Sequence, residues 1–112
     1  MAAPEDDAAA AYRRGDYPAA FRIWHALAEQ GDGEAQMALG FMYHDGEGVP
    51  KNLKLAYMWF YLAASLLPVD EQAFHDAFEA RDLTAKQMTP DQIAEAREMA
   101  ESCQARKYKD CD

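Results

Sequence analysis

The chain has little with which to carry out covalent or redox chemistry, holding two cysteines and three histidines among its 112 residues. No HExxH, CxxC, Walker loop or complete GxGxxG occurs in it, so metal-hydrolase, thiol-redox and nucleotide chemistry have no motif to rest on. His25, His44 and His75 fall on three different predicted helices at no ligand spacing, and no catalytic residue, metal or cofactor is expected. Basic charge is also scarce: 11 Lys and Arg stand against 20 Asp and Glu, a net charge of −9. Phosphate contacts need clustered cations to displace counterions, so a nucleic-acid partner is not expected, whereas partners of basic character are favoured. Long apolar runs are missing too. The longest, from Ala56 to Pro68, has 13 residues, short of the roughly 20 that cross a bilayer, and no membrane insertion is expected. The N-terminus carries acid where a secretory leader carries base. The protein is therefore expected to be cytoplasmic or, if a leader has been removed, periplasmic or secreted.

What the chain does have is apolar residues, half of the total, with 12% aromatics. That is enough to fold one domain of this length. The apolar residues also repeat. A shift of 36 residues sets Tyr17, Ala20, Phe21, Trp24 and Ala28 on Leu53, Ala56, Tyr57, Phe60 and Ala64. The spacing i, i+3, i+4, i+7, i+11 marks one stripe of a helix, and each position keeps its size class. Helices approach closely only where a side chain is short, so Ala20, Ala28, Ala56 and Ala64 are expected at helix crossings. Between the two copies, Ala35, Ala38, Leu39, Met42 and Tyr43 make another helical stripe with Gly40 inside it. A mid-helix glycine costs about 1 kcal/mol relative to alanine, so a neighbouring backbone is expected to pass too close for a Cβ.

The joints between helices have recognisable chemistry. Gly31-Asp32-Gly33 ends one helix and starts the next, and HDGEGVPKN leads to Asn52 as an N-cap. The joint RRGD from Arg13 to Asp16 is shorter, so the first hairpin reads as abbreviated. Beyond Pro68 the repeat decays, with Ala73, Phe74, Ala77, Phe78 and Leu83 able to face inward. Thr89-Pro90-Asp91-Gln92 is a capping-box helix start. The helix it opens has Ile93, Ala96, Ala100 and Cys103 inside and Glu95, Arg97, Glu98 and Glu101 outside, the character of a solenoid cap. The reading is one all-α domain: an abbreviated helix over 1–14, a repeat core over 15–67, a degenerate repeat and capping helix over 68–104, and a tail over 105–112.

Residues 15–64 resemble the Sel-one-like repeat, a relative of the tetratricopeptide repeat. Ala35, Leu39, Gly40, Tyr43, Gly46, Gly48, Val49, Pro50, Ala56, Trp59, Ala63 and Ala64 stand where that family's A..LG..Y..G.GV......A..W...AA pattern expects them. The closing LTPDQIAEAREMA is similar to the terminal helix that follows such repeats in bacterial members. The resemblance implies an α/α superhelix that serves as an adaptor or scaffold for other proteins. One cysteine-rich branch of the family is associated with β-lactam hydrolysis, but it carries a cysteine pair in each repeat, and residues 15–64 contain none.

Met37, Phe41 and His44 recur at i, i+4, i+7 off the main apolar stripe of their helix. They either edge a short concave groove that docks a peptide or helix, or make ordinary contact with the next hairpin. Trp59 and Phe60 read as core, with Met58 and Tyr61 less determined. Glu5, Asp6 and Asp7 read as a solvated first turn that complements the helix dipole. Cys103 and Cys111 either close a small disulfide, which would imply export, or remain two thiols with Cys103 packed as a small apolar residue. The expected function is a non-catalytic interaction module for a protein or peptide partner, monomeric or weakly dimeric. The β-lactam hydrolase and a self-associating structural unit are the alternatives.

Overall fold

The computed structural model describes residues 4–112, which form six helices and no strand. They are α1 (Pro4–Arg13), α2 (Tyr17–Glu29), α3 (Gly33–Asp45), α4 (Leu53–Leu66), α5 (Gln72–Ala85) and α6 (Pro90–Ala105). Each start from α3 onward, except that of α5, has the N-cap its sequence signals. Asp32 accepts from the Ala35 N–H, Asn52 from the Leu55 N–H, and Thr89 from the Gln92 N–H in a complete capping box. Asp16 caps α2 in the same way, one residue before the helix and two before Pro18. Glu71 precedes α5 without a side-chain cap bond.

Consecutive helices pair as α1 with α2 and α3 with α4, and α2 packs on α3 to join the two hairpins. The last two helices depart from this pattern. Both α5 and α6 rest on α4 and meet each other little, so α4 is covered from three sides by α3, α5 and α6. That explains why α4 is apolar around most of its circumference: Ala56, Tyr57, Met58, Trp59, Phe60, Leu62 and Ala63 are all buried. Trp59 and Phe60 are core as expected, Met58 joins them at 0% exposure, and Tyr61 is half-buried. Full burial of each large side chain of this kind stabilises by roughly 1.5–3 kcal/mol.

Ala20, Ala28 and Ala56 are fully buried at helix contacts, as their spacing predicts. Ala64 is a correction. It is only half-buried, and its neighbour Ala63 is fully buried, because α4 is covered on several sides and its buried surface extends beyond a single stripe. Gly40 is buried as expected, but its neighbour is not a backbone. A Cβ built there would lie 2.5 Å from the Phe60 ring, so the absent side chain is space that an aromatic ring from α4 fills. Phe78 and Leu83 are a second correction, being 43% and 51% exposed. The face of α5 that meets α4 is the small-residue row Ala77, Ala80 and Thr84, which permits close approach and leaves the bulkier side chains at its flank. The Phe78 ring is covered there by the Arg81 guanidinium at 4.4 Å.

The joint after α3 shows why its glycines are needed. Gly48 has φ +76°, and a Cβ on it would sit 3.0 Å from the Tyr17 carbonyl, so this loop lies directly on the start of α2. Beside it, the Tyr12 hydroxyl donates to the Glu47 carboxylate at 2.9 and 3.0 Å, linking α1 to the same loop. The joint is therefore an inter-repeat contact as well as a turn.

Candidate functional site

Helix α3 lies between α1 and α5, with a cleft toward each. Met37, Phe41 and His44 project from α3 toward these clefts. Met37 and His44 are half-buried, and Phe41 is 41% exposed, which is unusual for a large aromatic ring beside a core. Two clefts flank them. The first, about 360 Å³, lies between α3 and α5 and is lined by Met37, Phe41, His44, Phe60 and, from α5, residues that include Ala80, Leu83 and Thr84. The second, about 530 Å³, lies between α1 and α3 and includes Ala9, Tyr12, Trp24, Met37 and Phe41. Met37 and Phe41 belong to both and form the ridge between them. Phe41 also stands edge-on to Phe60 with ring centroids 4.9 Å apart. The ring that fills the space at Gly40 thus also supports the ridge.

His44 is already engaged. Its Nδ1 lies 2.8 Å from Asp45 Oδ1 and its Nε2 2.9 Å from Gln87 Nε2, which ties the end of α3 to the end of α5. It closes one end of the first cleft more than it offers a free ring to a ligand. His25 and His75 lie elsewhere, on α2 and α5. Among the described residues, no group of three His, Cys, Asp or Glu side chains could hold a metal ion. No helix among them is long and apolar enough to cross a membrane. Glu5, Asp6 and Asp7 occupy the exposed first turn of α1.

Cys103 and Cys111 are joined in a disulfide, with Cα atoms 5.3 Å apart. The loop it closes is not a loose tail. The Asp112 side chain, 5% exposed, reaches His25 Nε2 at 2.8 Å and accepts from the Tyr43 hydroxyl at 2.7 Å. Tyr108 packs beside Gly31, and Lys107, Tyr108 and Asp110 hold positive φ, a conformation that non-glycine residues adopt at a cost. Burial first, and then the Asp112 carboxylate, push the Tyr43 phenol far above its ordinary range. None of these long-range partners was expected. Only the cysteine pair signalled that the chain end would be fixed, and it does not say to what.

Gln36 was also missed. Its amide is fully buried and donates from Nε2 to the Ala28 carbonyl at 3.1 Å, stitching α3 to the end of α2. A glutamine amid alanines on a helix carries no spacing signal for such a role.

Comparison with known proteins agrees with this architecture. The Sel1 repeat model matches residues 8–32 and 33–66, just over half of the chain. The two matches coincide with the α1–α2 and α3–α4 hairpins, so the abbreviated first hairpin counts as a repeat in its own right. No curated protein and no solved structure shows significant similarity to the chain. Sel1 repeats generally mediate protein–protein interaction. With its first two hairpins matched over more than half of its length, the chain belongs to the Sel1 repeat family.

Proposed function

We propose that this protein is a non-catalytic adaptor that binds a peptide or helix of a partner protein at the clefts that separate α3 from α1 and α5. The observation that carries the proposal is the ridge of Met37 and Phe41, half-buried and 41% exposed respectively, with a cleft on either side. An apolar ridge between two apolar-floored clefts leaves area for a partner to cover, and a few buried anchors supply most of the affinity at such surfaces. The interaction role general to the family supports the same reading. The disulfide supports an oxidising setting, because cytosolic thiols are kept reduced. The test is affinity capture with the wild-type protein beside a variant in which Met37, Phe41 and His44 are all replaced by Ser. Partners retained by the wild type and lost by a folded triple variant support the reading. Partners retained equally by both place the binding surface elsewhere.

A further inference from the structure

The charges around the ridge are one-sided. Asp76 and Glu79 line the α3–α5 cleft, and Glu5, Asp6, Glu34 and Asp45 line the α1–α3 cleft, whereas neither cleft has a Lys or Arg among its described residues. The whole chain has 20 acidic and 11 basic residues, so at that ratio about two of six charges here would be basic. The crowding is visible in Glu5, whose carboxyl is held above its ordinary range chiefly by the neighbouring Asp32 carboxylate. The clefts also lack a row of donors for a peptide's carbonyls, since the charged side chains that line them are carboxylates, which accept and do not donate. Their walls are helices, whose N–H and C=O groups between the first and last turns are used internally, and no Asn or Gln is among the described residues that line either one. The Thr84 hydroxyl is spent on the Ala80 carbonyl at 2.7 Å. An extended peptide laid here would leave most of its carbonyls unpaired, while a helix arrives with its backbone already satisfied.

Resting on the adaptor reading, we infer that the occupant is a basic amphipathic helix of a partner protein. Apolar side chains of that helix enter the clefts on both sides of Phe41, and Lys or Arg residues flanking them face Asp76 and Glu79 on one rim and the α1–α3 carboxylates on the other. A second copy of this chain is disfavoured as occupant, since its net charge of −9 would be repelled by the same rims.

The test uses fluorescence anisotropy with synthetic peptides of about five helical turns. One has Leu on one face and Lys on the other, a second replaces Lys by Glu, a third permutes the Leu and Lys positions so that no face forms, and a fourth is a Pro-interrupted Leu/Lys sequence. The expected result is binding of the first, about tenfold weaker binding of the third and fourth, and none of the second. Phe41→Ser is expected to weaken the first peptide about tenfold, and Asp76→Asn with Glu79→Gln to weaken it similarly and flatten its salt dependence. The control pair Glu98→Gln with Glu101→Gln, on the outer face of α6, removes the same charge and is expected to change affinity less than about twofold. Unchanged thermal melts show that each variant is folded. Equal binding of the permuted peptide, or indifference to Phe41→Ser, reduces the effect to unspecific charge and overturns the inference. Tighter binding of the Pro-interrupted peptide overturns the helix. Phe41-dependent binding of the Glu peptide, or Phe41-dependent self-association in sedimentation, overturns the basic partner while leaving an interaction groove in place. If no peptide binds, the inference falls, and the capture experiment decides the adaptor reading separately.

Discussion

Gly40 shows how much a single position can determine. Its missing side chain admits the Phe60 ring, which is 1% exposed and in turn supports Phe41. A new Cβ at 2.5 Å would force this packed ring or the helix itself to shift. Gly40→Leu is expected to destabilise by about 1–3 kcal/mol through overpacking, and the melting temperature to fall by several degrees. An unchanged melt would refute this packing. The glycine was legible in the sequence because a mid-helix glycine is costly without a reason; the ring was not, because spacing gives the vacancy and not its occupant. Two tyrosines add a pH effect. The hydrogen bond to Glu47, with burial, pushes the Tyr12 phenol up to about 12, and Tyr43 is raised further still. For a raised phenol the stability it confers is complete below its unfolded value of about 10 and is lost as pH rises through the folded value. Stability is therefore expected to fall from about pH 10 upward, with a shallower fall in Tyr12→Phe, measured by denaturant unfolding across the alkaline range.

At the scale of elements, the tail after α6 acts as a clasp. The disulfide holds residues 103–111 as a closed loop, and Asp112 then bridges α2 and α3 through His25 and Tyr43. Loop-closure entropy for a bridge this short is about 2.5 kcal/mol. Cys103→Ser with Cys111→Ser is thus expected to lower unfolding stability by about that amount. It should also return the Tyr43 phenol toward its ordinary range, as read by its alkaline absorbance titration. A variant with the Tyr43 titration unmoved would show that Asp112 stays docked without the bridge. The cysteine pair signalled a closed end, but partners 87 and 69 residues away lie beyond any local pattern. On helix α5 the periodicity places Ala77 inward correctly but adds the bulky Phe78 and Leu83, whereas close packing on α4 selects the small row Ala77, Ala80 and Thr84.

As a whole the molecule measures 43 × 28 × 26 Å with a radius of gyration of 13.1 Å. That is close to the roughly 13 Å of a compact domain of about 100 residues, so two repeats and a cap form a short stack and not an extended superhelix. The hairpin order, the caps and the acidic balance were legible in the sequence, since each rests on local spacing or composition. The distribution of carboxylates over two adjacent clefts was not, because it depends on how α1, α3 and α5 are brought side by side. On α3, Phe41 and Tyr43 are two residues apart and so about 200° around the helix. The groove and the clasp consequently use opposite faces of the same element. The most direct measurement is a residue-resolved NMR titration of the disulfide-bonded protein with a captured partner or the Leu/Lys helix. The account predicts shifts concentrated at Met37, Phe41, Ala80 and Leu83, with Ala28, Cys103 and Asp112 undisturbed; shifts centred on α2, α6 and the clasp would contradict it.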